Sequence, residues 1–207
     1  MFYSVTRLGF RMLAGVLFRL RVRDDVRLPS QGAAIVVAEH RSWLDPPCVG
    51  AACRRPVRFL VMEKVYRKPW ACWFYRRMGS IPVGVGRRRA ALSLREALRR
   101  LRSGEVVGVF PEGRVVPDGE SVDYRDGAAL LSVRSGAPVV PIGIGGTARA
   151  WPRGKRCPRP APVAIRFGEP LQPPAPDSEN AVSTFSARIE ENLRILSTEE
   201  RARVERR

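Results

Sequence analysis

The chain has 207 residues, with 37 lysines and arginines against 20 aspartates and glutamates, and a formal net charge of +17. This length can bury a hydrophobic core without disulfide or metal cross-links. The four cysteines, at positions 48, 53, 72 and 157, form no C-x-x-C pair, and the single histidine excludes a histidine-rich zinc cluster. We therefore expect reduced thiols, one globular domain and no metal.

The basic charge comes almost entirely from arginine, because only three lysines are present. Such a field attracts nucleic acid, anionic lipid or phosphorylated substrates, although genomic base composition can also produce an arginine excess. A nucleic-acid-binding module is one interpretation. The sequence has no zinc-finger, RNP-like or helix-turn-helix pattern and no lysine-rich arm, so we predict no nucleic-acid partner.

The first 20 residues are apolar except for three arginines, at positions 7, 11 and 19. Their longest uncharged run after Arg11 covers 12–18, well short of the roughly 20 residues that a spanning helix needs. At 100° per residue the arginines fall on one narrow stripe beside a wide apolar face. This predicts an amphipathic helix in the membrane interface, within a membrane-associating segment 1–28. The alternative is a helix packed on the domain's own core with its arginines outward.

Residues 29–207 alternate short apolar runs with helical patterns. Runs rich in β-branched residues predict buried strands at 33–38, 57–62, 105–110, 137–142 and 163–167. Helices are predicted from Pro46 onward, in parts of 62–78, and at 88–102, 124–135 and 178–196. This alternation predicts an α/β fold with a largely parallel or mixed central sheet flanked by helices. We expect a loop at 151–162, a linker at 172–180, and a solvated, frayed tail over the last eight residues.

His40, the single histidine, stands five residues before Asp45. Five residues apart on a helix, the two side chains would diverge by about 140°. Asp45 precedes two prolines, however, and a residue before proline avoids helical geometry. Asp45 is therefore predicted to cap a helix that begins at Pro46, with 40–44 folded into a turn that brings its carboxylate to the imidazole. Such a pair can act as a general base; the alternative is a helix cap alone.

A second polar cluster, "PEGR" at 111–114, follows the strand 105–110. Ligands gather at the carboxyl ends of parallel strands, so neighbouring strands would bring His40 and Glu112 to one edge. Gly113 leaves room for a ligand near the backbone, and Arg114 can hold a phosphate with its planar fork. The segment 79–89, "GSIPVGVGRRR", leads into a helix and has the composition of an anion-binding loop. No G-x-S-x-G nucleophile motif or phosphate-loop motif is present.

Four blocks in this order resemble the 1-acyl-sn-glycerol-3-phosphate acyltransferase family of glycerolipid acyltransferases. They are "HRSWLD" (40–45), "GSIPVGVGR" (79–87), "VFPEGR" (109–114) and "VVPIGI" (139–144). H-x4-D alone is a weak signal, whereas four blocks at family spacing are a strong one. The resemblance covers about residues 33–171 and implies a glycerol-phosphate acyltransferase-like fold, with 29–207 as the acyltransferase domain.

The resemblance implies that a fatty acyl group moves from acyl-CoA or acyl carrier protein to a lysophospholipid hydroxyl, with no cofactor. The expected acceptor is 1-acyl-sn-glycerol-3-phosphate, giving phosphatidic acid. His40 would be the base and Asp45 its orienting partner. Residues expected to bind substrate are Gly79, Arg87, Glu112, Gly113 and Arg114, with Arg87 at the acceptor phosphate. The family also implies attachment to a membrane surface, which we expect to be the cytoplasmic face.

Three positions depart from the family pattern. Glu39 stands where the family commonly has asparagine, before the histidine. Val85 stands where the second block usually carries its arginine, and Arg87 follows two positions later. The third block reads E-G-R rather than E-G-T-R, although some members have E-G-R. These changes leave open another lipid or glycolipid acceptor, and a non-catalytic lipid-binding protein on the same fold is a further alternative.

Overall fold

A computed structural model describes residues 2–117, 120, 123–152 and 154–206. The predicted first residue of the membrane segment (Met1), part of the predicted loop (Arg153) and the last residue of the predicted tail (Arg207) lie outside the described residues. The helices are α1 Phe2–Leu17, α2 Asp45–Ala52, α3 Glu63–Tyr66, α4 Pro69–Met78, α5 Arg87–Arg102, α6 Gly127–Ser135, α7 Thr147–Ala150 and α8 Ala181–Glu205. The strands are β1 Arg21–Arg23, β2 Ala34–Ala38, β3 Val57–Met62, β4 Ile81–Val83, β5 Val106–Val109, β6 Val139–Gly145 and β7 Ala164–Phe167.

The seven strands form one sheet in the order β1-β7-β6-β2-β5-β3-β4. Strands β2 to β6 are mutually parallel, whereas β7 runs antiparallel to β6 and pairs in parallel with β1. The predicted mixed α/β fold is confirmed, and a strand lies within or largely within each of the five apolar runs. The two strands that the sequence did not predict, β1 and β4, have three residues each.

Strand β2 lies at the centre of the sheet and separates two hydrophobic layers. Its residues alternate between the faces, as the two-residue period of a strand requires. Val36 packs in the layer that contains α1 and α2. Ile35 and Val37 pack in the opposite layer, against α5, α6 and α8. Because both faces of β2 are covered, the whole strand is apolar, and its polar neighbours begin only where it ends.

Helix α1 packs on α2 through the face that carries its arginines. Tyr3 and Ala14 on that face are buried, while Arg7 donates to the carbonyl of Arg54 and Arg11 to that of Ala51. The alternative of a core-packed helix with outward arginines is therefore wrong in its orientation. The opposite, apolar face of α1 is exposed. Among the helices that the structure describes, none is both long and apolar enough to cross a bilayer.

The predicted frayed tail is wrong for residues 200–205, because α8 continues to Glu205. Glu200 is fully buried and pairs with Arg23 of β1, and Val204 is also buried. Helix α8 also lies so close to β6 that a Cβ on Gly145 would stand 2.3 Å from the carbonyl oxygen of Glu200. These contacts hold the last turns of α8 against the sheet.

Candidate active site

The carboxyl ends of β2 and β5 bring the two polar motifs together. The strands are parallel neighbours with Val37 opposite Val109, so the residues that follow them lie at the same edge of the sheet. The backbone N–H of His40 donates to Oε1 of Glu112 at 3.0 Å. The predicted proximity of His40 and Glu112 is therefore observed.

The turn that starts at His40 is organised around the carboxylate of Asp45. Its Oδ2 accepts the backbone N–H groups of Arg41 at 2.7 Å and Ser42 at 2.6 Å, and lies 3.0 Å from Nδ1 of His40. Asp45 is the first residue of α2, with Leu44 at the N-cap. The predicted start of α2 at Pro46 is thus wrong by one residue. The predicted cap is also wrong, because the Asp45 carboxylate points back into the turn and does not cap α2. The predicted contact with the imidazole is present.

The contact with Asp45 favours one tautomer of the neutral His40 ring. A carboxylate accepts a hydrogen bond, so in that tautomer Nδ1 is the donor to Asp45 and Nε2 carries the lone pair. The ring stacks on Phe110, with centroids 4.5 Å apart, and meets Trp43 edge-on at 6.4 Å. The His40 side chain is 13% exposed, whereas that of Asp45 is fully buried. The pair therefore combines a favoured tautomer with limited access from solvent.

Glu112 lies beneath this turn rather than on the surface. Burial raises the pKa of its carboxyl group, although the hydrogen bond from His40 opposes the shift. Oε1 accepts that hydrogen bond, and Oε2 has no partner among the described residues. Gly113 follows with φ +66°, the left-handed geometry that glycine adopts without strain, and its N–H closes a turn onto Phe110. Glu112 thus supports the main chain of His40, and its predicted contact with substrate stays a prediction.

The predicted phosphate-binding arginines lie at the same edge but apart from each other. Arg114 is exposed and pairs with Glu120. Arg87 is exposed at the start of α5, beyond the end of β4. Strand β4 is three positions from β2 in the sheet, or about 14 Å at the usual strand spacing. Arg114 follows β5, the direct neighbour of β2, so it starts nearer to His40 than Arg87 does.

Gly79 is separated from this group. It precedes β4 and therefore lies at the opposite edge of the sheet from His40. Its φ of +68° ends α4, and a Cβ there would stand 2.5 Å from the guanidinium of Arg58. A helix end and a close side chain account for glycine at this position, and its predicted substrate contact has no support in the geometry.

The sequence did not single out several residues that complete the site. Phe110 lies within the third family-like block, but nothing in that block predicts that its ring stacks on His40. Glu39 departs from the family pattern, but the sequence does not predict its contacts with Tyr124 and Arg201. The ion pair between Glu39 and Arg201 joins positions 162 apart in sequence, and no local pattern indicates such a contact.

A buried carboxylate contacts a histidine at the carboxyl edge of a parallel sheet, an arrangement in which the imidazole can accept a proton. The comparisons with known proteins then give the family. The acyltransferase family model matches residues 19–145, and the chain belongs to that family.

Similar proteins are named as acyltransferases. The chain is 23% identical to the 1-acyl-sn-glycerol-3-phosphate acyltransferase of Bacillus subtilis over 73% of each protein. It is 27% identical to the chloroplastic 1-acyl-sn-glycerol-3-phosphate acyltransferase LPAT1 of Arabidopsis thaliana, over 66% of this chain and only 39% of that longer protein. The crystal structure of the 1-acyl-sn-glycerophosphate (LPA) acyltransferase PlsC from Thermotoga maritima superposes with a TM-score of 0.79 at 26% identity, covering 95% of this chain and 78% of that one.

Proposed function

We propose that this acyltransferase moves a fatty acyl group from a thioester donor to the free hydroxyl of 1-acyl-sn-glycerol-3-phosphate, giving phosphatidic acid. The names of the relatives from Bacillus subtilis and Thermotoga maritima support this acceptor. Acyl-CoA and acyl carrier protein both present the acyl group as a thioester. The proposal therefore covers either donor with the same chemistry.

The reaction uses His40 as its general base. Nε2 takes the proton of the acceptor hydroxyl as the oxygen attacks the thioester carbonyl. The carbon–sulfur bond then breaks, and the leaving thiolate takes the proton back from the imidazolium. Asp45 keeps Nδ1 protonated and stabilises the imidazolium charge between these steps. No protein nucleophile is needed, because the acceptor oxygen itself attacks.

The observation that carries this proposal is the 3.0 Å contact between Nδ1 of His40 and Oδ2 of Asp45. Two backbone N–H groups donate to the same oxygen, so the carboxylate is held in place. The exposed side chains of Trp43 and Met62 lie near the same edge of the sheet and offer apolar surface to an acyl chain.

Replacing His40 tests the mechanism. We expect His40→Ala to lower acyl transfer roughly 10²–10⁴-fold, the usual contribution of a general base. Thiol release from an acyl-CoA is measured with lysophosphatidate in mixed vesicles. The control is vesicle co-sedimentation together with thermal unfolding, both of which should match the wild type. Turnover near the wild-type rate in the variant would contradict the mechanism.

We further propose that the exposed face of α1 binds a membrane surface. Apolar side chains cover this face, including Val5, which is 69% exposed, and Val16, which is 80% exposed. Next to it, Trp73 of α4 packs edge-on against Phe2, and Arg77 lies over both rings. An apolar face bordered by tryptophan and arginine is typical of proteins that lie in the lipid interface.

We propose that the protein binds the cytoplasmic face of that membrane, and the state of its cysteines supports this location. All four thiols are free, as is usual in a reducing compartment. Cys48 and Cys53 are fully buried, and burial raises the pKa of Cys53 to about 12. These two thiols are therefore protonated and unreactive at neutral pH.

A further inference from the structure

Glu39 is a buried carboxylate directly before His40, and its side chain is only 4% exposed. Burying a charge is costly unless donors surround it. Glu39 has three: the Tyr124 hydroxyl at 2.7 Å, a guanidinium nitrogen of Arg201 at 2.6 Å, and Nε of Arg41 at 3.3 Å. We name this group of four residues the Glu39 network.

The three donors come from three different parts of the chain. Arg41 belongs to the turn that carries His40, Tyr124 precedes α6, and Arg201 lies near the end of α8. Arg41 also donates to the carbonyls of Pro117 and Glu120, at 3.2 Å each. The network therefore ties the His40 turn both to the chain after the Glu112 motif and to the last helix.

The arginine from α8 is held at a fixed place. Helix α8 lies directly against β6, where a Cβ on Gly143 would stand 2.6 Å from the carbonyl oxygen of Leu196, as one on Gly145 would from Glu200 at 2.3 Å. Only glycine at these two positions allows such a close approach. Arg201 follows Glu200 directly. The close approach of Glu200 to Gly145 therefore fixes the backbone position from which the Arg201 side chain reaches Glu39.

Arg41 connects the Glu39 network to the His40–Asp45 pair through its main chain. Its side chain is fixed by Glu39, and its backbone N–H donates to Asp45 Oδ2, the oxygen that also faces the imidazole. A change that releases the Arg41 side chain would loosen the turn in which Asp45 and His40 meet. A hydrogen-bonded ion pair whose carboxylate is buried favours one arrangement of such a turn over others.

We propose that Glu39 and Arg201 are positioning residues for His40, and that their ion pair lets the last helix hold the His40–Asp45 turn in its active arrangement. This inference rests on the proposed general-base function. Neither residue needs to touch a substrate.

The kinetic test uses Glu39→Gln, Arg201→Met and the double variant, with Arg194→Met as the matched control. Arg194 is also on α8, but its ion pair with Glu190 is exposed. We expect each single variant to lower kcat about 10-fold with KM values within about 2-fold, and the double variant to be no slower than the slower single. Arg201→Lys, which keeps the charge, should recover part of the rate, and Arg194→Met should match the wild type. Wild-type kcat in both single variants, or losses that multiply in the double variant, would overturn the proposal.

A second measurement does not depend on turnover. Hydrogen–deuterium exchange of the segment 39–45 reports the N–H groups of Arg41 and Ser42 that bind Asp45. We expect this segment to exchange about 10-fold faster in Arg201→Met and unchanged in Arg194→Met; equal protection in both would overturn the proposal. If the wild-type chain fails to acylate lysophosphatidate, the proposed function fails, while the exchange result still decides whether Arg201 positions the turn.

Discussion

Arg114 is an exposed arginine whose charge is already shared with Glu120, and that hydrogen bond raises the pKa of Arg114. Its guanidinium is therefore charged under all conditions of interest, and a phosphate can replace Glu120 as its partner. A planar fork suits a phosphate better than an ammonium does. We therefore propose Arg114 as a residue that recognises the phosphate of the acceptor.

We predict that Arg114→Ala raises the KM for lysophosphatidate roughly 10-fold, since a hydrogen bond to a charged group contributes about 1.5–3 kcal/mol. The KM for acyl-CoA should change much less. Steady-state kinetics with each substrate varied in turn measures both values. Arg134→Ala serves as the control, because Arg134 is exposed at the end of α6, at the opposite edge of the sheet. Equal changes in the two KM values would show that Arg114 does not recognise the acceptor.

Contacts that follow from local backbone restriction or from strand pairing were predictable, and those that depend on helix packing were not. Two prolines after Asp45 restrict its backbone enough to indicate the turn that brings it to His40. The Glu112 contact followed from one further step, the pairing of parallel strands. Arg201 meets Glu39 because α8 packs on β6, and Tyr124 reaches Glu39 from the segment before α6. A sequence carries no spacing rule for either contact. The substrate contact of Gly79 stays a prediction, because its end-of-helix geometry explains a glycine there without a ligand.

At the scale of elements, α1 shows how an amphipathic pattern leaves orientation open. The pattern predicts two faces but not which one packs on the domain. Arg7 and Arg11 face α2 because backbone carbonyls of Ala51 and Arg54 are available to them, which leaves the apolar side outward. The short strands β1 and β4 were missed for the opposite reason. Three residues are too few for a periodic signal, and β4 contains Pro82, which is unusual inside a sheet.

The exposed face of α1 gives a prediction for this helix. Substituting Leu8, Met12 and Val16 together by serine should lower vesicle co-sedimentation at least 10-fold, because each apolar side chain that enters lipid contributes on the order of 1 kcal/mol. Thermal stability should change little, since these side chains make few contacts in the fold. The control is Leu92→Ser, which removes a similarly exposed apolar side chain from α5. Vesicle binding by the triple variant at the wild-type level would contradict a membrane role for this face.

The whole molecule carries a net charge of +17, so its acidic residues matter for offsetting repulsion between the arginines. Glu105 accepts hydrogen bonds from Arg58 of β3 and Arg100 of α5. Burial alone would raise the pKa of Glu105, but these two hydrogen bonds outweigh it and lower the pKa. The pKa of Asp25 is likewise lowered, chiefly by its hydrogen bond from Arg54. Carboxylates of this kind offset arginine repulsion between neighbouring elements.

These lowered pKa values fix the sign of the acid response. A carboxyl group whose pKa is lower in the folded state stabilises the fold above its unfolded pKa, and that stability is lost as pH falls through the folded pKa. We therefore expect the unfolding temperature to be nearly constant from pH 7 to about 5 and to fall steeply below about pH 4.

Glu105→Gln should lower the unfolding free energy at pH 7 by about 1 kcal/mol, and its difference from the wild type should shrink at pH 3. Glu179→Gln, at an exposed position without an ion pair in the described part of the chain, should follow the wild type at every pH. Calorimetric unfolding from pH 3 to 7 measures all three proteins, and a Glu105→Gln deficit that stays constant down to pH 3 would show that the carboxylate charge is not what stabilises this contact.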